Sequence, residues 1–171
     1  MNKNEVRELI LGDDMEKVAK WHQLFRDPAF IPKYNMDWDE TRDLPMKRLR
    51  KVAQSGLVSV IDFFKNPKNI FLAHEFLAQV DSGTVIKFTV QYNLFGGSIV
   101  ALHTDRHSYL FDKIDSFDIV GCFCLTELGF GNNAVKMETT VTYDEGTKEF
   151  VVNTPTTLAQ KYWITNGFKH S

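Results

Sequence analysis

Apolar residues recur at helical spacing between residues 5 and 25, at Val6, Leu9, Ile10, Met15, Val18, Ala19, Leu24 and Phe25. Gly12 predicts a break inside this stretch, with Asp13 or Asp14 free to cap the second piece. Asp27 followed by Pro28 ends it, and a loop is expected as far as Asn35. A second helix is predicted over 39–54, capped by Asp37 or Asp39, with Pro45 early inside it and Ser55 and Gly56 as its stop. Residues 57–64 are apolar and ambiguous between strand and buried coil. The spacing predicts a helix over 67–80, where Pro67 suits the first turn. Residues 83–102 read as one long buried helix or a pair. Gly96 and Gly97 in its middle cost about 1 kcal/mol each against alanine, so a close approach or a break is expected there. Thr104 suits the cap of a short amphipathic helix running to Ile114.

The pattern changes at Ile119. Residues 119–125 form a strand-like run, and 137–143 alternate, with Thr139, Val141 and Tyr143 set against Glu138, Thr140 and Thr142. Residues 150–153 are strand-like again. The Asp-Glu-Gly-Thr-Lys segment at 144–148 reads as the hairpin turn between them, and a last strand fits 161–165. The expected fold class is therefore α+β: an N-terminal α-helical domain over 1–118, then the first strands of a β domain over 119–171. Such an open sheet has an uncovered edge, which implies a partner or an incomplete chain.

Composition is that of a globular protein: 43% hydrophobic and 25% charged over 171 residues, with fourteen Phe, five Tyr and three Trp to fill a core. The net charge of -2 supplies no argument for nucleic acid or an anionic membrane as partner. The basic run at 46–51 reads as the solvated face of a helix. Cys122 and Cys124 would be neighbours on one face of a strand and are read as core residues, in a reducing compartment. With no other cysteine, no thiolate metal site is expected. The N-terminus has no apolar region of a secretory signal. Residues 85–102 are broken by Lys87, Gln91 and Asn93 and read as a buried helix, with no membrane span expected. The terminal Lys169-His170-Ser171 is not a peroxisomal tripeptide of the SKL type.

Two segments carry the chemistry. CFCLTELGFGNN (122–133) is a strand followed by a glycine-rich loop. Gly129 and Gly131 let backbone amides approach a ligand, and Thr126 stands at the strand end. KYWITNGFKHS (161–171) sets Trp163 and Thr165 on one side of a strand, an aromatic face beside a hydroxyl. Either segment alone is as readily a plain hairpin or a piece of core.

Together, T-E-x-G-x-G about thirty-five residues before K-x-W-I-T-N-G resembles the acyl-CoA dehydrogenase and oxidase superfamily. The details resemble the oxidase branch: Leu128 gives TELG where dehydrogenases have TEPG, GCFCLTELGFGNN is similar to GCFAMTELGHGSN, and METTVTYDEGTKEFVVNTPT is similar to ETTATYDPxTxEFVIxTPT. Upstream, the LFGG centre of 87–107 with its T-x-x-H, and the DPAF of 27–30, are similar to oxidase segments. Asn132 departs from the usual Ser or Thr, Phe130 from the frequent His, and WITNG is closer to the dehydrogenase form.

The resemblance implies that the β part opens a middle β-barrel domain, with the family's C-terminal helical domain absent from this chain. It implies FAD as cofactor. Thr126 and Thr165 would meet polar atoms of the flavin ring, Trp163 would lie beside it, and the backbone at Phe123, Cys124, Leu125 and Thr126 would touch it, with Gly131 and Ile164 in the same wall. Asn132 would stand where the family binds substrate. The implied reaction takes two hydrogens from a fatty acyl-CoA to give a trans-2-enoyl-CoA, the flavin carrying the redox chemistry. Oxidases then reduce O₂ to H₂O₂, and dehydrogenases pass electrons to an electron-transfer flavoprotein. The family's catalytic Glu comes from the absent domain, so no catalytic residue is assigned here, and Glu127 is read as structural. His103 and His107, spaced i and i+4, lack a third ligand, and no metal is expected. The expected partners are fatty acyl-CoA and O₂, with a homodimer in the full-length protein. The expected location is the peroxisome in a eukaryote and the cytoplasm in a bacterium. The alternatives are a dehydrogenase and an inactive fragment that binds flavin or acyl-CoA.

Overall fold

The computed structural model describes residues 1–170, apart from the side chain of Asp13. The proposed Asp13 cap and Ser171 lie outside the described residues. The chain divides into two compact units, Met1–Gly121 and Cys122–Ser171.

The first unit is helical: α1 (Lys3–Leu11), α2 (Met15–Leu24), α3 (Glu40–Gln54), α4 (Asp62–Lys65), α5 (Pro67–Ala78), α6 (Ser82–Phe88), a π-helical segment (Thr89–Gly96), α7 (Gly97–Leu102) and α8 (Tyr109–Asp115). Asn2 and Glu5 close a reciprocal cap on α1. Gly12 ends it with φ 52°, a left-handed conformation that costs glycine little. Asp14 stands at the start of α2 without bonding its amides and pairs instead with Lys68 at 2.7 Å. At α3 the cap is Asp37, whose carboxylate accepts from the amides of Asp39 at 2.9 Å and Glu40 at 2.8 Å. Of the ambiguous stretch at 57–64, residues 57–60 are coil, with Val58 and Val60 buried, and 62–64 belong to helix α4, which neither alternative anticipated. The core gathers Trp21, Leu49, Val52, Val60, Ala73, Leu77, Phe88, Tyr92 and Ile114.

The run at 46–51 is not simply a solvated face. Arg48 is only 3% exposed. Its guanidinium donates to the carbonyl oxygens of Ala29 at 2.7 Å and Ile31 at 3.0 Å and pairs with Asp81 at 3.1 Å. Lys51 pairs with Asp27 at 2.6 Å.

Residues 82–102 are one continuous helical rod whose middle takes the π form. The Thr89 hydroxyl donates to the Val85 carbonyl at 3.0 Å, competition of the kind that loosens an α ladder. The expected close approach falls at Gly96, where a Cβ would lie 2.4 Å from Val60 Cγ2 and 2.9 Å from the Gln91 carbonyl oxygen. Gly96→Ala is therefore expected to destabilise this unit by about 2 kcal/mol, because overpacking outweighs the better helix propensity of alanine. Urea titration followed by circular dichroism measures it. Buried Gln91 uses both ends of its amide, donating to Ile119 O at 2.7 Å and accepting from Gly121 N at 3.1 Å. By length and composition alone, Ser82–Leu102 is apolar enough to cross a bilayer. Phe88, Gln91 and Tyr92, however, are fully buried against other parts of the unit.

The second unit holds a two-stranded antiparallel sheet, β1 (Thr140–Asp144) with β2 (Glu149–Asn153), in register from Thr140 opposite Asn153 to Asp144 opposite Glu149. The turn is the one expected at 144–148: the Asp144 carboxylate accepts from the amides of Gly146 at 2.8 Å and Thr147 at 3.1 Å. All ten strand residues are exposed. The other two expected strands do not form among the described residues. Residues 119–125 carry no ladder, and Lys161 makes a single bridge to Glu127. Beyond it, Trp163 has φ 56° and Asn166 φ 69°. These left-handed conformations turn the chain out of any ladder, so Trp163 and Thr165 are not alternate residues of a strand.

Candidate functional site

The glycine loop is organised by Glu127. Its amide donates to Gly131 O at 3.2 Å and its carbonyl accepts from Gly131 N at 2.9 Å, which pins the loop shut. Gly131 takes φ 57° to complete that turn. Gly129 lies so close to Leu158 that a Cβ would stand 2.6 Å from that side chain. Backbone bonds then tie the loop to the later segment: Leu128 N to Gln160 O at 2.9 Å, Gly129 N to Leu158 O at 2.9 Å, and Tyr162 N to Thr126 O at 3.1 Å.

The Glu127 side chain is 1% exposed. Its carboxylate accepts from the amides of Glu138 at 2.9 Å and Thr139 at 3.0 Å, from the Thr139 hydroxyl at 2.5 Å, and from Lys161 Nζ at 3.0 Å. Burial pushes the carboxyl up, but the donors outweigh it and hold it down at about 2. A carboxylate so fully engaged is a structural tie between three segments and too weak a base to take a proton from carbon at neutral pH. Lys161, Thr139 and Glu138 were not singled out as site-forming by sequence reasoning. Lys161 stands in one of the quoted motifs and Glu138 and Thr139 in another, but their role depends on pairing across the sequence.

The hydroxyl of Thr126 donates to Asn132 Oδ1 at 2.8 Å, which brings two of the expected site residues together. Trp163 is 87% exposed, one residue beyond the Tyr162 amide that is bonded to Thr126. Thr165 and Gly131 are exposed, and Phe123, Leu125 and Ile164 are half-buried. The cysteines are not core residues: Cys122 is half-buried, Cys124 is exposed, and their sulfurs lie 3.4 Å apart. His103 and His107 do not share a helix. His103 ends α7, and its Nδ1 faces the Val100 carbonyl at 2.6 Å. The Nδ1 of His107 accepts the Thr104 amide at 3.1 Å at the start of the next turn. Among the described residues no group of three His, Cys, Asp or Glu could hold a metal.

The fold of the chain is similar to that of solved acyl-CoA oxidases. The crystal structure of acyl-CoA oxidase 3 from Yarrowia lipolytica matches 94% of this chain with TM-score 0.72 and 29% identity, over 24% of its own length. In sequence, the chain is 36% identical to acyl-coenzyme A oxidase acox-3 of Caenorhabditis elegans over 88% of its residues. It is 32% identical to human peroxisomal acyl-coenzyme A oxidase 3 over 91%. No protein-family model matches. The chain spans 22% and 23% of the length of those two curated relatives. Over the stretch that it spans, the chain is similar to acyl-CoA oxidases in both sequence and fold.

Proposed function

We propose that this chain forms part of an FAD-dependent acyl-CoA oxidase, with 1–118 as its N-terminal helical domain and 119–171 as the opening of the flavin-lining β domain. The reaction is oxidation of a fatty acyl-CoA to the trans-2-enoyl-CoA with O₂ as acceptor, giving H₂O₂, as a step of fatty acid β-oxidation. One observation carries the reading: the Glu127 tie sets the Thr126 hydroxyl, the Asn132 amide and the exposed Trp163 ring at the joined ends of two segments. A hydroxyl, an amide and an aromatic face carried on two joined segments suit a flat heteroaromatic ring with polar edges.

FAD, when bound, supplies the hydride acceptor. In this reading the chain's own residues orient it: Thr126 and Thr165 toward its polar edge, Trp163 beside the ring, and the backbone of Phe123, Cys124, Leu125 and Thr126 along it, with Gly131 and Ile164 adjacent and Asn132 toward the substrate. Proton abstraction is assigned outside these 171 residues, because Glu127 is already committed to four donors. The full enzyme is proposed to be a homodimer and, in a eukaryote, peroxisomal. That location is in keeping with the name of the human relative.

The test uses the full-length protein that contains this chain. Mixed with palmitoyl-CoA and air, it is expected to release H₂O₂ with no added acceptor. Reduction of a dye without peroxide would assign a dehydrogenase, and neither would assign an inactive flavin or acyl-CoA binder. Trp163→Ala is expected to weaken FAD retention about tenfold through loss of the aromatic contact, read by flavin absorbance after gel filtration.

A further inference from the structure

We propose that Cys122 and Cys124 form a reversible intramolecular disulfide when a hydroperoxide reaches the chain. The two sulfurs lie 3.4 Å apart with only Phe123 between the residues, and the chain has no third cysteine to compete. Cys124 is exposed and Cys122 half-buried, so Cys124 meets the oxidant first. Burial, with the neighbouring Cys124 adding to it, pushes the Cys122 thiol up. Cys122, the less exposed of the two, acts second.

The chemistry closes on itself. The Cys124 thiolate attacks one oxygen of H₂O₂, the O–O bond breaks, and Cys124 becomes a sulfenic acid while hydroxide leaves and takes up the thiol proton as water. Cys122 sulfur then attacks the Cys124 sulfur, the S–O bond breaks, and the second oxygen leaves as water. Two thiols are oxidised by two electrons, and one peroxide is reduced to two waters. Because the second sulfur is already in place, the second step is intramolecular and outruns further oxidation.

Local backbone permits the bond and keeps it labile. Alternate residues of an extended chain have Cα atoms roughly 6.6 Å apart, near the upper end of what a disulfide spans. Closing the ring asks for a small contraction at Phe123. Residues 119–125 are held by no strand ladder among the described residues. A bond formed under such tension is of the readily reduced kind. The site rests on this geometry alone, although the proposed oxidase activity would release the oxidant beside it.

The test takes the full-length protein in its reduced form and adds H₂O₂, so its outcome is independent of whether the protein makes peroxide itself. The tryptic peptide ending at Lys136 carries both cysteines. It is expected to lose two hydrogens in mass, to lose both alkylatable thiols together, and to recover them with dithiothreitol. Cys124→Ser is expected to slow oxidation of the peptide about tenfold, and Cys122→Ser to leave a sulfenic acid on Cys124 that dimedone traps. Three outcomes would each overturn the proposal: sulfinic acid at Cys124 with Cys122 still alkylatable, a disulfide between two copies of the chain, or unchanged thiols when Cys124→Ser and the parent protein are both treated.

Discussion

Glu127→Ala is expected to cost the second unit its cohesion, with amide-exchange protection at Glu138 and Thr139 falling about a hundredfold. The carboxylate accepts from both amides, from a hydroxyl and from Lys161. Its removal leaves two backbone donors and an ammonium group without their acceptor, in a place that water does not reach easily. Glu127→Gln is expected to fail nearly as badly, because its NH₂ end turns a donor toward a donor. Acid should reproduce the defect in the parent protein. The carboxyl is held down from 4.5 to about 2, so its folded-state value lies below the unfolded one. Its contribution is complete above pH 4.5 and fades as pH falls from there through about 2. Exchange measured across that window should show Glu138 and Thr139 losing protection in the parent and little pH response in the alanine variant. Equal protection in variant and parent would remove Glu127 from the centre of the unit.

The second large effect is expected at Arg48. Arg48→Met should destabilise the helical unit by about 3 kcal/mol, the usual scale for removing one partner of a buried ion pair. It abandons Asp81 and the carbonyl oxygens of Ala29 and Ile31 together. Burial pushes the Asp81 carboxyl up, but hydrogen bonds from Thr84 and Arg48 more than reverse that and leave it lowered. Removing the arginine strips part of that support while leaving the burial. Lys51→Ala, which breaks only the half-exposed pair with Asp27, should cost far less, because water screens such a pair. Urea unfolding midpoints of the two variants, compared with the parent, separate the cases. A loss at Arg48 no greater than at Lys51 would refute its central role.

Helices α1, α2, α3 and α5 were legible because their signals are local, whereas α4 (Asp62–Lys65) was not expected. Gly12 and Gly56 take positive φ at helix ends, Pro67 opens α5, and Asp37 precedes α3 with a carboxylate in reach of its amides. Arg48 was misread because a charge run looks the same whether its members face water or carbonyls nearly twenty residues earlier. The π form of 89–96 leaves no mark in apolar spacing over so short a segment. The run at 119–125 has the composition of a strand, but a strand exists only where a partner pairs with it, and that information is not local. At 161–165 the aromatic and β-branched residues outweighed the Asn-Gly pair, yet it is the turn that prevails, with Asn166 left-handed. The candidate site was readable as a motif and unreadable as a mechanism of assembly. T-E-x-G-x-G marks the loop, but the donors that hold it come from Thr139 and Lys161, placed by folding.

The close of the helical unit has a consequence for how it is made on the ribosome. Asp115 receives the Ser59 hydroxyl and the Val60 amide, at 2.7 Å for the latter, and the 119–121 segment satisfies both ends of the Gln91 side chain. Until those residues leave the exit tunnel, Val60 and Gln91 are buried groups in waiting, and the helices already made can only collapse loosely. At synthesis speeds of about 5 to 20 residues per second, that interval lasts seconds. The nascent chain thus carries an unfinished core for the whole time taken to translate from Val60 past Gly121, and chaperones have their opportunity there.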